Sequence, residues 1–443
     1  MPEDSNANAG ITRRDALKLG LAASAAASMV ALAGEAAHAA APSDLNEATL
    51  AQLQAMMQSG GLSSSRLVNF YLSRISALDQ GGPFVNSVIE LNPDARAIAA
   101  SLDAERGKTG PRGPLHGIPV LLKDNIDTGD RMQTAAGSLA LVGTPAQQDS
   151  TVAQKLRAAG AVILGKTTLS EWANFRSFTS TSGWSGRGGQ CNNPYLIDFN
   201  PCGSSSGSAA SVSANFVSVG IGTETDGSIV CPANTSGVVG IKPTVGLVSR
   251  AGVVPISHTQ DTPGPHARTV ADVAVVLGAI QSIGFDGRDP ATGGVPLGWR
   301  GTGRTRPATD YTQFLNPDGL RGKKLGVWQV GLAAATARVG AAFDQATAAM
   351  QGAGATLVPI DFPHTADINS GNPSSWSSSM TSCSTFAPTS PPGPASRSIT
   401  WPTRSLSTPA MPTRRCPSSA RRFSSWRPRS TSAAPTLPSR CSA

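Results

Sequence analysis

Aromatic side chains are scarce in this 443-residue sequence, where Phe, Trp and Tyr together make up 5%. A core must therefore be built mainly from Ala, Val, Leu and Ile, and a hydrophobic content of 40% is enough to fill a sizeable one. Disorder throughout is excluded, and so is a small disulfide-stapled fold; helices packed on a buried sheet suit this composition better. Metal-ligand spacings are also missing. The six cysteines, Cys191, Cys202, Cys231, Cys383, Cys416 and Cys441, form no C-x-x-C pair, and no H-E-x-x-H brings two histidines together. Neither a metal site nor a cofactor is expected. Gly301-Thr302-Gly303 and Gly352-Ala353-Gly354 fall short of a phosphate-binding fingerprint and read as loops. Cys202 and Cys231 could pair if the chain is exported, but three small buried thiols before the tail are the preferred expectation.

Acid is missing from one end. Between Pro373 and Ala443 there is no Asp, Glu or Lys, and nine arginines there leave the remainder of the chain at −1 against a total of +8. The basic excess belongs to this tail, so the body carries no basic face for nucleic acid or an anionic membrane. Its Ser/Pro/Arg/Thr mixture cannot bury enough surface to offset chain ordering. Residues 373–443 are expected to be either a disordered tail or, preferably, a coding frame shifted by one nucleotide. A chain carrying such a tail is expected to be poorly soluble and nearly inactive.

Long hydrophobic runs are lacking too. The apolar stretch from Leu19 to Leu32 is rich in Ala and short for a membrane span. It follows Arg13-Arg14 and precedes Ala37-His38-Ala39, a small-x-small cleavage pattern. Residues 1–39 are therefore expected to be a twin-arginine-type signal, which implies a periplasmic or secreted protein with no stable membrane association after cleavage. One domain over residues 40–372 remains.

Its patterning predicts an α/β fold. Residues 44–110 look helical, with Leu50, Leu53, Met56 and Met57, then Leu67, Phe70, Tyr71 and Ile75, at helical spacing. Ser43, Asp44 or Asn46 would cap the first helix. Gly117–Leu122 and Ala161–Leu164 are short apolar runs with a helix from Ser150 to Ala159 between them. This strand–helix–strand rhythm points to a largely parallel sheet. A further helix is expected near Ser208–Asn215 and a strand near Val217–Ile221. Lys324–Trp328, Arg338–Met350 and Ala355–Ile360 repeat the rhythm. His258 and His266 are placed on a loop, and His116 is read as structural.

Chemistry concentrates in three stretches: His116–Asn125 (HGIPVLLKDN), Cys202–Ser208 (CGSSSGS) and Gly222–Ile229 (GTETDGSI). A serine hydroxyl is a poor nucleophile at neutral pH and needs a base nearby and donors for the developing oxyanion. A lysine at the end of an apolar strand can be that base, because burial disfavours its ammonium form.

Together with GIKPTVGLVSRAGVVP (Gly240–Pro255), these stretches resemble the amidase signature family over roughly residues 44–365, with the closest likeness to its bacterial peptide-amidase branch. The resemblance implies a single large domain with a mixed, mostly parallel, twisted sheet covered by helices on both faces. It also implies an amidase that cleaves a small amide or a short peptide amide, releasing ammonia through an acyl-enzyme. By motif match, Lys123 is the base, Ser204 a serine on a cis peptide bond, and Ser228 the nucleophile. The backbone N–H groups of Thr225, Asp226, Gly227 and Ser228 would form the oxyanion hole. Cys202 and Val230 stand where the broad family has Gly and Arg, and both fit the peptide-amidase branch. The family continues with ordered elements where this chain has its tail.

Three other readings compete. Gly203–Gly207 also satisfies G-x-S-x-G with Ser205 as nucleophile, followed by Asp261 and His266, although the turn-rich Asn193–Pro201 is a poor strand to precede it. A transamidosome component, working with partner chains on aminoacyl-tRNA, would share the fold, but the export signal and the lack of a basic face on the body argue against it. An inactive fragment of an amidase is the third.

Overall fold

The computed structural model describes residues 45–282, 284–293, 309–328 and 337–360. The expected signal, the tail with Cys383, Cys416 and Cys441, and Gly301-Thr302-Gly303 lie outside the described residues.

Helix α1 (Leu50–Gln58) begins at Thr49, whose hydroxyl accepts the Gln52 N–H while the Gln52 side chain accepts the Thr49 N–H. This reciprocal pair satisfies two donors left over at the helix start. Thr49 rather than Asn46 is thus the cap; Ser43 and Asp44 lie outside the described residues. Helix α2 (Ser64–Arg74) buries Leu67, Val68 and Tyr71, one face of a helical repeat. The expected run of helix to residue 110 is broken by strand β1 (Val88–Leu91) before α3 (Ala95–Thr109). Four residues are too few to show a period. What holds β1 comes from elsewhere: the Asp79 carboxylate accepts the Ser87 and Val88 N–H groups, and Asn92 Nδ2 donates to Ile163 O.

The sheet is mixed. Strands β2 (Pro119–Lys123), β3 (Val162–Thr167) and β6 (Val219–Glu224) form its parallel centre, with β2 in the middle and Val120 opposite both Ile163 and Val219. Helix α4 (Thr151–Ala158) connects β2 to β3, and α5 (Ser206–Ser213) leads into β6. Every residue of these three strands is buried. Each Val, Leu or Ile taken from water here contributes about 1.5–3 kcal/mol, so the parallel centre is the heart of the core. β1 joins β3 antiparallel at one edge.

On the other side β8 (Thr262–Ala267) runs antiparallel to β6 and to the two-residue β7 (Val239–Gly240). This corrects the expected loop around His266. Proline cannot donate to a ladder, and TPGPHA carries two, so the segment does not read as a strand. It serves as one because Pro263 and Pro265 lie opposite Thr223 and Ile221, and Pro265 O accepts the Ile241 N–H. Helices α6 (Val230–Thr235) and α7 (Val270–Ile280) flank this half.

Two smaller sheets complete the described chain: a ribbon of β4 (Trp184–Ser185) and β5 (Gly189–Gln190), and the parallel pair β9 (Lys324–Val327) and β10 (Thr356–Pro359). Helix α8 (Ala337–Gly352) links the last two strands and buries none of its residues. The strand–helix–strand rhythm expected over 324–360 is thus present. Among the described residues no helix is long and apolar enough to cross a membrane.

Candidate active site

Lys123 is the last residue of the central strand β2 and is completely buried. Its apolar strand carries it inward. There Nζ donates to Ser204 Oγ at 2.8 Å, to Thr223 Oγ1 at 2.9 Å and to Thr223 O at 3.2 Å. Asn125 Nδ2 donates to the same threonine hydroxyl at 3.0 Å. Burial pushes the Lys123 ammonium down to about 7, against the charges of Asp261 and Glu224, which favour the protonated form. A lysine in this state exchanges a proton readily near neutrality, which a solvated lysine does not.

Ser204 lies on a turn before α5. The Gly203–Ser204 peptide is cis, Cys202 has φ 57°, and Ser204 O accepts the Ser170 N–H at 3.1 Å. A Cβ on Gly203 would come within 2.4 Å of Ser170 Oγ, so a larger residue there would have to displace that hydroxyl. Helix α5 follows with the sequence SGSAASVS, every residue buried. Its small side chains let it lie close to the sheet: Gly207 has no room for a Cβ, which would meet Ser87 O at 2.2 Å and Thr168 O at 2.6 Å.

Ser228 follows β6 on a turn that Gly227 enters at φ 77°. It is 6% exposed, whereas Ser204 and Lys123 are both at 0%. The two serine turns meet through the backbone, Ser205 N–H donating to Ser228 O at 3.1 Å. Among the described hydrogen bonds none joins the Ser204 and Ser228 hydroxyls. The structure therefore brings Lys123 and Ser204 into direct contact and sets Ser228 on the adjoining turn.

The four expected oxyanion donors differ among themselves. The Gly227 N–H is directed at Glu224 Oε1 at 2.9 Å, a departure from the sequence expectation. Those of Thr225, Asp226 and Ser228 have no protein acceptor among the described hydrogen bonds. Glu224 also takes the Ile229 and Val230 N–H groups on Oε2, at 2.7 and 3.0 Å. Sequence reasoning gave no role to Glu224, Thr223 or Asn125. The only signal for them was position, since they flank residues already singled out.

The competing Ser205 arrangement is not assembled. Ser205 Oγ donates to Thr223 O, His266 Nε2 faces Ile229 O at 3.0 Å, and Asp261 accepts from Thr225 Oγ1 and the Ile256 and Ser257 N–H groups. Burial pushes the His266 imidazole down to about 4, so it stays neutral at ordinary pH. His116 is likewise internal, its Nε2 facing Leu102 O at 2.9 Å.

A second lysine, Lys166 on β3, is as buried as Lys123, and burial pushes it down to about 8. Its Nζ donates to Ile126 O and Thr134 Oγ1, and the charges around it are those of Asp124, Asp127, Asp130 and Glu90. With a carbonyl and a threonine in place of a serine, it braces the turn after β2.

The body cysteines require a correction. Cys202 and Cys231 are disulfide-bonded, with Cα atoms 5.9 Å apart, and Cys191 is the one free, buried thiol among the described residues. Spacing along the chain hid this, because 29 residues separate the pair while the meeting of the two serine turns brings them together. No group of three His, Cys, Asp or Glu side chains among the described residues could hold a metal ion.

Known proteins share this arrangement of elements. A probable amidase from Arabidopsis thaliana is 50% identical over 285 residues, 64% of this chain and 53% of the relative. A putative amidase from Schizosaccharomyces pombe is 49% identical over 285 residues, again 64% of this chain, and 47% of the yeast protein. Among solved structures, native peptide amidase from Stenotrophomonas maltophilia is 54% identical with a TM-score of 0.69, over 74% of this chain and 64% of that one. The chain thus spans about half the length of the plant and yeast relatives. The Amidase family pattern matches residues 66–390, which takes in β2, both serine turns and β6. With that match extending over most of the chain, this protein belongs to the amidase family.

Proposed function

We propose that the protein hydrolyses carboxamides, with Ser228 as nucleophile, Ser204 as proton relay and Lys123 as base. The observation that carries this reading is the 2.8 Å contact between the buried Lys123 Nζ and Ser204 Oγ, with the lysine poised near neutrality. Neutral Nζ takes the Ser204 proton as Ser204 Oγ takes that of Ser228, and Ser228 Oγ adds to the amide carbon. The oxyanion is met by the Thr225, Asp226 and Ser228 N–H groups, the three left without a protein acceptor. The proton returns from Lys123 through Ser204 to the leaving nitrogen, ammonia departs, and water resolves the acyl-enzyme by the same route.

The substrate we propose is the C-terminal amide of a short peptide, a reading supported by the 54% identity to peptide amidase over 74% of this chain. Internal peptide bonds would be left intact. We also propose that the protein is exported by its twin-arginine-type signal to the periplasm or beyond. The Cys202–Cys231 disulfide supports that compartment, since such bonds persist where thiols are not kept reduced.

Ammonia release from a panel of peptide, aryl and long-chain amides tests the substrate. The expected result is turnover of C-terminally amidated peptides, abolished by Lys123→Ala and by Ser228→Ala and reduced to a trace by Ser204→Ala, because the three act as one unit. Preference for aryl or long-chain amides would refute the substrate. Covalent labelling with a fluorophosphonate, mapped to Ser205 rather than Ser228, would refute the mechanism.

A further inference from the structure

Glu224 ends β6 four residues before Ser228, and only 4% of it is exposed. A buried carboxylate is costly unless its lone pairs are met. Here both oxygens are engaged by backbone: Oε1 by Gly227, Oε2 by Ile229 and Val230. These donors lie on both sides of Ser228. Two of them stand at the start of α6, whose N-cap, Ile229, supplies no side-chain hydrogen bond of its own. Lys242 closes the arrangement from outside. Its Nζ donates to Thr225 O at 2.7 Å and lies 3.6 Å from Glu224 Oε1.

We propose that Glu224, with Lys242 as its counter-charge, is a positioning residue that holds the Thr225–Val230 turn, and with it the Ser228 hydroxyl and the oxyanion donors, in the geometry for attack. This rests on Ser228 being the nucleophile. Glu224 itself does not touch the reacting atoms. By occupying the Gly227 N–H it leaves that donor out of the anion site, while the N–H groups of Thr225, Asp226 and Ser228 have no acceptor among the described hydrogen bonds. Such preorganisation acts on the chemical step more than on substrate binding.

The full chain is assayed for ammonia release from an amidated peptide, with the rate of fluorophosphonate labelling at Ser228 followed in parallel. Glu224→Gln keeps the shape but replaces one acceptor oxygen by a donor, so one side of the clamp opposes N–H to N–H. The expected result is a fall in kcat on the order of 100-fold with KM changed less than about threefold. Labelling should slow in step, and the thermal unfolding transition should be retained. Glu224→Asp, which keeps the charge, should recover part of kcat. Lys242→Met removes a partly exposed partner and is the milder variant, expected to lower kcat about five- to tenfold at constant KM. If Glu224→Gln fails to fold, the Lys242→Met split between kcat and KM decides. An unchanged kcat in the variants, or a loss that only follows the folded fraction, overturns the positioning role while leaving Ser228 labelled. A label on another serine overturns the catalytic assignment itself, and this inference with it.

Discussion

The pH dependence of the reaction follows from one buried side chain. With the Lys123 ammonium pushed down to about 7 from 10.5, its neutral form is about half the population at pH 7. At pH 6 it is about one tenth, and at pH 8 about nine tenths. If neutral Lys123 draws the proton, kcat/KM must fall nearly tenfold for each unit of acidification below about pH 6 and level off above about pH 8. The charges acting on the lysine set the position of this limb. Asp261 and Glu224 both favour the ammonium form, so Asp261→Asn should move the limb to lower pH. Stability changes with the same sign. The unfolded lysine keeps its proton up to about 10.5 and the folded one releases it near 7. Lys123 therefore costs the fold nothing above pH 10.5, and its penalty grows as pH falls toward 7. Below 7 both states are protonated and Lys123 adds no further slope. His266, pushed down from 6.5 to about 4, adds its own loss of stability as pH falls through that window. Initial rates on an amidated peptide from pH 5 to 9, with far-UV circular dichroism at each pH, test the argument. A profile flat across pH 6 to 8 in protein that stays folded would refute Lys123 as the base.

Reducing the Cys202–Cys231 disulfide, or replacing both cysteines by serine, should lower the unfolding free energy in urea by about 3–4 kcal/mol, the loop-closure value for a 29-residue separation. Gly207→Ala should cost about 3 kcal/mol in the same assay or prevent folding, because its Cβ would sit 2.2 Å from Ser87 O and be hemmed in by the Thr168 backbone as well. Amide hydrogens of α8, which buries no residue, should exchange well before those of β6, which is buried throughout, when followed by mass spectrometry.

The centre of the fold was legible because its signals are local. Val120, Leu121 and Leu122 form an unbroken apolar run, as do Val162, Ile163 and Leu164, and Ser150 caps the helix between them by accepting the Ala153 N–H. What the sequence concealed depends on distant partners. β1 is held by Asp79 and Asn92, and β8 runs through two prolines only because β6 is there to receive it. The site divides the same way. Lys123, Ser204 and Ser228 stand in stretches dense enough to single out. By contrast, Thr223 under the lysine amine and Glu224 behind Ser228 gain their significance from hydrogen bonds that no spacing announces. The disulfide was the same kind of omission.

That disulfide closes a ring of chain, residues 202–231, that contains α5 and β6 and carries Ser204 and Ser228 near its two ends. The circumference of the ring is fixed. β6 is registered on one side against β2 and on the other against β8, and α5 is buried from end to end. An inserted residue within β6 has no slack to enter, since it must shift the strand by one position against both of its neighbours. New length is easier to accept in exposed turns, such as the one around Asp226, while the strand inside the ring behaves as a part of set size that changes by substitution.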